Sequence, residues 1–151
     1  MSQNQTSQTL PQWIADHIQL YLEDPAAAHY WDSTVAGGPG PLPTLLLISK
    51  GRKSGQTRML PLIYKKIGAR YVIIASKGGA PSHPAWYLNL LAEPHCEIRV
   101  GPESHQVIAH TVDDERREKL WNAMAEVYPP YNDYQAATDR KIPVVELLPV
   151  S

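Results

Sequence analysis

The chain has one cysteine, no acidic residue between Ser33 and Ala92, no lysine or arginine in its first 49 positions and no long apolar run. Each shortage excludes something. A lone Cys96 rules out an internal disulfide and any zinc site built on paired cysteines, and it favours a reducing compartment. No apolar stretch approaches the ~20 residues that cross a bilayer. The opening MSQNQTSQTLPQW has neither the basic start nor the apolar stretch of a signal peptide, so the expected location is the cytoplasm. The cation-free first 49 residues argue against an N-terminal segment drawn to anionic lipid.

The missing acids also shape the charge map. Formal net charge is −1. Within 33–92, however, Lys50, Arg52, Lys53, Arg58, Lys65, Lys66, Arg70 and Lys77 meet no carboxylate, while the rest of the chain holds all 15 acids. A basic middle in a near-neutral chain points to a localised anion site; the alternative is a solvated basic face. Nucleic acid is disfavoured, because basic and aromatic residues do not interleave as on RNA-binding sheets.

With 151 residues, 43% hydrophobic and 19% charged, the chain suits one structural domain. Within it we expect an N-terminal helical arm and loop, 1–41, and a body, 42–151. Ile14, Ile18, Tyr21 and Leu22 recur at helical spacing over Gln12 to Glu23, before Pro25. Leu45 to Ser49 reads as a short strand, Gly51 to Gly55 as a hairpin turn, and Arg58 to Lys65 as the returning strand, with Pro61 marking an edge or bulge. Arg70 to Ser76 is a third strand. A helix follows from about Pro84 to Ala92, with Ser82 as its expected N-cap. Cys96 to Val100 and Gln106 to Val112 form a second hairpin around Gly101-Pro102. Asp113-Asp114-Glu115 then opens a helix that buries Leu120, Trp121, Met124 and Val127. Tyr128 to Tyr131 ends it, a short turn follows, and Val144 to Leu148 is the last strand. Five or six strands in meander connection with few helices predict an α+β, mainly β, barrel with helices packed outside.

Three constellations can carry chemistry. In the turn Gly51-Arg52-Lys53-Ser54-Gly55, glycines expose backbone N–H groups beside two cations, which suits phosphate or carboxylate; a solvated hairpin tip is the alternative. Ser76-Lys77-Gly78-Gly79 leads into Pro84-Ala85-Trp86-Tyr87-Leu88-Asn89, placing a small-residue loop and a cation before a helix N-terminus. Trp86 offers a flat face there, unless it simply fills the core. Tyr128, Tyr131 and Tyr134 are spaced by three, which on a short helical turn puts three rings on one side. Metal chemistry is disfavoured: the six histidines show no HExxH-like spacing, although His105 and His110 are expected to face one another across a hairpin. Ser82-His83 lacks the setting of a triad, and Cys96 the setting of a reactive thiolate.

In order and spacing, these pieces resemble the deazaflavin-dependent nitroreductase and quinone reductase family. The matching blocks are Gly51-Arg52-Lys53-Ser54-Gly55-Gln56-x-Arg58, Ala75-Ser76-Lys77-Gly78-Gly79, Pro84-x-Trp86-Tyr87-x-Asn89-Leu90, Tyr128-x-x-Tyr131-x-x-Tyr134 and Thr138-Asp139-Arg140-x-Ile142-Pro143-Val144. The resemblance implies an FMN-binding split-barrel-like fold, a split β-barrel that takes coenzyme F420, reduced as F420H2, and passes its hydride to a quinone or similar electron-poor conjugated acceptor, nitroaromatics included. F420 joins a flat tricyclic ring to a phosphodiester and an oligoglutamate tail, so an acid-free basic segment suits it. By similarity Arg52, Lys53, Ser54 and Arg58 hold phosphate and tail. The cleft is lined by Met59, Leu60, Pro61, Leu62 and Ile63, by Ile74, Ala75, Ser76 and Lys77, and by Ala85, Trp86, Tyr87, Leu88 and Asn89. Tyr131 closes over the ring. Ser76, Tyr128, Tyr131 and Tyr134 are the expected catalytic residues, orienting the acceptor or supplying a proton. A quinone- and nitro-reducing member of the family has tyrosine where this chain has Ile63, which favours quinone over nitroimidazole here. Reaching a membrane quinone would bring the Trp13-bearing helix to the inner membrane face. Two alternatives stand beside this reading: a non-catalytic F420 carrier, and an FMN-binding split-barrel oxidoreductase.

Overall fold

Apolar side chains alternate between two covered faces along a sheet that curls until its ends meet. A computed structural model of the chain describes residues 11–150; the first ten positions of the expected arm lie outside the described residues. In order the elements are α1 (Gln12–Glu23), α2 (Pro25–Ala28), β1 (Tyr30–Asp32), β2 (Pro41–Lys50), β3 (Thr57–Ile63), β4 (Lys65–Ile67), β5 (Arg70–Ile74), α3 (Ala85–Ala92), β6 (His95–Val100), β7 (Glu103–Thr111), α4 (Asp114–Val127), α5 (Pro130–Ala136) and β8 (Val144–Pro149), with 3₁₀ turns at Ser33–Ala36 and Lys77–Gly79. Eight strands replace the five or six expected, because three-residue β1 and β4 are too short to show an alternation.

All pairings are antiparallel, and they run β3-β2-β6-β7-β8-β5-β4, with β1 on the start of β2. The two ends of that path, β3 and β4, are separated in sequence only by Tyr64. The stretch expected as one strand, Arg58 to Lys65, therefore breaks at Tyr64 and changes partner from β2 to β5, which turns an open sheet into a split barrel. Tyr64 points inward, its hydroxyl 2.8 Å from His29 Nε2 and its ring edge-on to Tyr71. Burial, the largest cause, pushes its phenol pKa up to about 12. Pro61 lies in β3, which pairs only with β2, so its missing N–H costs no ladder bond.

Period-two alternation explains why β2 reads as continuously apolar. Leu45 and Leu47 point into the barrel with Ile73, Ile98 and Leu147, while Leu46 points outward to Tyr21 and Ala28 under α1. On the other outer side Val72, Ile74 and Val144 meet Leu120, Trp121 and Met124 of α4. Each such fully buried aliphatic side chain contributes roughly 1.5–3 kcal/mol. Asp113 caps α4 by accepting from Arg116 N, and Ala125 joins the buried stripe while Val127 is only partly covered. Leu22, expected on the inner face of α1, is exposed; His17 and Tyr21 are the buried residues there. Tyr21 Oη donates to Thr44 O at 2.6 Å and accepts from Gly101 N at 3.0 Å, tying α1 to the barrel. His105 and His110 both sit on β7, beside Ile98 and Glu146 respectively, so they do not face one another.

One charge sits in the outer core. Glu146 on β8 is 1% exposed, held by two bonds from Arg116 (2.8 and 2.6 Å) and one from Arg70 (3.1 Å). The Arg116 hydrogen bonds are the main reason its carboxyl titrates below the ordinary range, against burial pulling the other way. A depressed folded-state pKa means this contribution is complete above the unfolded value near ~4.3 and is lost as pH falls through the folded one. Glu146→Gln is expected to lower the melting temperature at neutral pH by roughly 5 °C and to flatten the acid limb of a stability–pH curve. An unchanged acid limb in thermal melts would refute this. Cys96 is buried in the barrel, where desolvation raises its thiol to about 12 and leaves it inert. Among the described residues no helix is long and apolar enough to cross a membrane.

Candidate functional site

On the outer side of β3 the chain leaves a cavity of about 1060 Å³, bounded by the turn after β2, the loop after β5, the start of α3, the tyrosines around α5, and α1. No carboxylate lines it among the described residues.

The turn supplies the cations. Gly55 N donates to Gly51 O and Gly51 N to Gln56 O, closing it tightly at 2.8 Å each. Asn89 Oδ1 on α3 accepts from Arg52 N at 3.1 Å and from its guanidinium at 2.9 Å, so Asn89, itself buried, fixes Arg52. Ser54 Oγ accepts from Arg58 Nη2 at 3.3 Å. Lys53 is exposed and has no ion-pair or hydrogen-bond partner among the described residues.

The loop after β5 is bent into a left-handed turn: Lys77, Gly78 and Gly79 take φ of 48°, 62° and 84°. At Gly79 a Cβ would sit 2.7 Å from Tyr134 O, so only glycine lets this loop meet α5 so closely. Arg140 stitches the loop from behind, its guanidinium bonded to the carbonyls of Ala75 (3.1 Å), Ser76 (2.7 Å) and Ala80 (3.0 Å) and to His83 Nδ1 (2.9 Å). Burial, then the Arg140 charge, lowers the His83 pKa. Ser82 does not cap α3: Pro84 occupies that position, and Ser82 Oγ instead accepts from Lys77 Nζ at 3.3 Å.

The expected short turn after α4 is a seven-residue helix, α5, begun by Pro130. It packs three tyrosines edge to face. Tyr131 lies 4.9 Å from Tyr128 and 6.3 Å from Tyr134 between ring centres. Tyr128 Oη donates to Ala36 O at 3.3 Å and meets Tyr134 Oη at 2.9 Å. Tyr131 is 5% exposed, burial drives its pKa far upward, and its hydroxyl takes no hydrogen bond from any described residue.

Of the residues expected at a site, those of the turn and β3 (Arg52, Lys53, Ser54, Arg58, Met59, Leu60, Pro61, Leu62 and Ile63) line this cavity. So do Ile74, Ser76, Lys77, Ala85, Trp86 and Asn89, with Tyr128, Tyr131 and Tyr134. Three expected residues do not. Ala75 alternates inward with Ile73 into the barrel core. Tyr87 lies on the next face of α3 from Trp86, bonds Thr111 Oγ1 at 2.9 Å and borders a separate hollow of about 170 Å³. Leu88 packs on the barrel core. The sequence reading missed the wall formed by Trp13, Ile14, His17 and Ile18 of α1 and by Trp31, which stacks on Trp13 at 5.3 Å and 12°. The Ile14–Ile18 stripe was the available signal, but it reads equally as plain core. Among the described residues no three His, Cys, Asp or Glu side chains gather as a metal set.

A family model described as F420H(2)-dependent quinone reductase matches residues 23–149. A curated F420H(2)-dependent quinone reductase from Mycobacterium tuberculosis is 39% identical over 144 residues, spanning 91% of this chain and 97% of the relative. A solved F420-H2 dependent reductase superposes with a TM-score of 0.64 at 39% identity, covering 69% of this chain and 92% of that one. At 10% identity, a Listeria innocua protein described as a pyridoxamine 5′-phosphate oxidase shares the fold, with a TM-score of 0.51 over 72% of this chain and 84% of its own.

Proposed function

The chain belongs to the F420H(2)-dependent quinone reductase family, and from that membership we propose that it oxidises reduced coenzyme F420 and delivers the hydride to a quinone. The observation that carries this reading is the make-up of the large cavity: Arg52, Lys53 and Arg58 at the turn after β2 and Lys77 on the loop after β5, apolar and aromatic walls between, and no acid among the described lining residues. A polyanionic tail and a flat neutral head ask for that division. At about 1060 Å³ the cavity lies at the upper end of small-molecule sites, which leaves room for a ring and its acceptor together.

Residues 42–151 are then the cofactor-binding domain, and of the preceding arm α1 and Trp31 wall its cleft. Arg52, held by Asn89, Arg58, held by Ser54, and Lys53 grip phosphate and tail carboxylates. Trp86 and the loop at Ser76 and Lys77 seat the ring, with Met59, Pro61 and Ile63 beneath it. The coenzyme supplies the hydride; the protein aligns acceptor and ring, excludes water, and presents hydroxyls of Ser76 and Tyr131 to the reacting oxygens. Ile63, apolar at the floor, supports a quinone over a nitroimidazole. We place the enzyme in the cytoplasm, with exposed Trp13, Leu20 and Leu22 of α1 supporting brief contact with a quinone-bearing bilayer. Failure to co-sediment with neutral-lipid vesicles would remove that contact.

Mixing the protein with reduced F420 and menadione should oxidise the coenzyme, whereas reduced FMN should not be consumed above background. Coenzyme left reduced in the presence of menadione would overturn the function. Lys53→Ala should weaken coenzyme affinity roughly 10-fold, the value of one charge-assisted contact, and reduce its salt dependence. Calorimetry on both proteins at two ionic strengths checks this, and equal affinities would displace the tail from this turn.

A further inference from the structure

We propose that His17 is the polar partner of the acceptor's oxygen, donating from Nδ1 to a quinone carbonyl and accepting back from the hydroquinone hydroxyl. The inference rests on the reading that a quinone is reduced in this cavity.

His17 lies on the buried face of α1, lines the cavity, and stacks on Tyr21 at 5.9 Å. Its Nε2 is 2.9 Å from Ala28 O. A carbonyl only accepts, so Nε2 must carry the hydrogen, and this bond holds whether the ring is neutral or cationic. Thr44 Oγ1, 3.5 Å away, has acceptors of its own in the carbonyls of Ala28 and His29. The nitrogen left for a ligand is therefore Nδ1. No described residue bonds Nδ1, and among the described residues no fully buried side-chain nitrogen or oxygen lacks a partner, so Nδ1 is not sealed off, on a side chain that lines the cavity.

That space is suited to a neutral ring. Ile14 and Ile18 flank His17 on the helix, Trp13 stacks on Trp31 nearby, and Thr44 pairs in register with Ile63 beneath. On its own helix the other titratable groups are Asp16, exposed and bonded by Gln12, Glu23, exposed and bonded by Gln19, and Tyr21, bonded to the barrel. β2 presents only the Thr44 hydroxyl, and β3 presents Arg58. Across the cavity stand Arg52, Lys53 and Lys77, with Tyr128, Tyr131 and Tyr134 at the α5 side. With no carboxylate among these lining residues, an imidazolium at position 17 has no internal counter-ion and its proton is directed at the acceptor.

Reducing a quinone to a hydroquinone takes one hydride and one proton. In the proposed reaction the reduced coenzyme would supply the hydride with its electron pair. As the oxygen gains its hydrogen, the Nδ1–H bond breaks and the O–H bond forms; the ring is left neutral, still bonded to Ala28, and water returns the proton.

The test uses the full chain without coenzyme, with menadione and with methylnaphthalene, the same ring without oxygens, followed by tryptophan fluorescence and by the Nδ1 resonance of isotope-labelled histidine. His17→Gln keeps an amide N–H where Nε2 was and loses Nδ1; His17→Asn places an amide where Nδ1 was. Menadione affinity should fall about 10-fold in the glutamine variant and stay within about 3-fold in the asparagine variant, with methylnaphthalene unchanged in both. An unmoved Nδ1 resonance on adding menadione to the wild type, or equal menadione affinity in wild type and the glutamine variant, overturns the proposal. Coenzyme affinity is measured alongside: if it is intact while these fail, His17 is refuted and the reductase reading stands.

Discussion

Replacing Arg140 with alanine is expected to lower the melting temperature by roughly 10 °C and to strip the protein of most of its coenzyme affinity, although Arg140 does not line the cavity. Its guanidinium satisfies three carbonyls and His83 Nδ1 across the loop that ends β5. Without it those half-buried acceptors must find water or go unpaired, at about 1–3 kcal/mol each and not additively, for a total near ~3 kcal/mol. The loop also holds Lys77 and Gly78 in left-handed conformations that nothing else reinforces as strongly. Released, Ser76 and Lys77 leave their places at the cavity wall. Arg140→Lys should rescue little, because a single ammonium cannot span a fan of four acceptors. Thermal melts and calorimetry on the three proteins decide it, and a shift under about 2 °C would show the fan to be incidental.

Tyr131→Phe should leave coenzyme affinity within about 3-fold and lower kcat with menadione roughly 100-fold, the scale seen when one aimed donor is lost from a reaction centre. The ring is clamped by Tyr128, Tyr134 and Trp121, so phenylalanine keeps its place. The hydroxyl alone changes, and it is the one of the three tyrosine hydroxyls without a protein partner among the described residues. Because burial raises its pKa, it acts as a neutral donor and its contribution should not vary with pH near neutrality. Tyr128→Phe is the control: its hydroxyl is engaged by Ala36 and Tyr134, so its loss should slow turnover much less. Equal effects of the two substitutions would remove the distinction.

What could be read from the sequence was local. The turn at Gly51–Gly55, the edge character of Pro61, α1 and the acid-capped α4 each announce themselves within a few residues, and each forms where expected. The cavity's basic and tyrosine walls were legible for the same reason: their residues cluster in short blocks. The rest depends on partners far along the chain. That Asn89 serves Arg52 joins positions 37 apart, and the Arg140 fan joins positions up to 65 apart. The break at Tyr64 is invisible locally because residues on both sides remain extended; only the change of partner from β2 to β5 reveals it. Trp86 and Tyr87 are adjacent aromatics in a short helix, and periodicity alone could not say which would face the cleft. The α1 wall escaped notice because an apolar stripe that half covers a cavity has the same spacing as one that is wholly packed.

The separation of charge along the chain has a kinetic corollary. With Arg52, Lys53, Arg58 and Lys77 lining a cavity that no described carboxylate lines, its mouth carries a local positive field that extends about one Debye length, ~8 Å, into physiological solvent. An oligoanion diffusing nearby feels a torque before it touches anything, and its most charged end swings round to lead. Encounters are thereby sorted by orientation, and added salt should slow capture far more than it hastens escape.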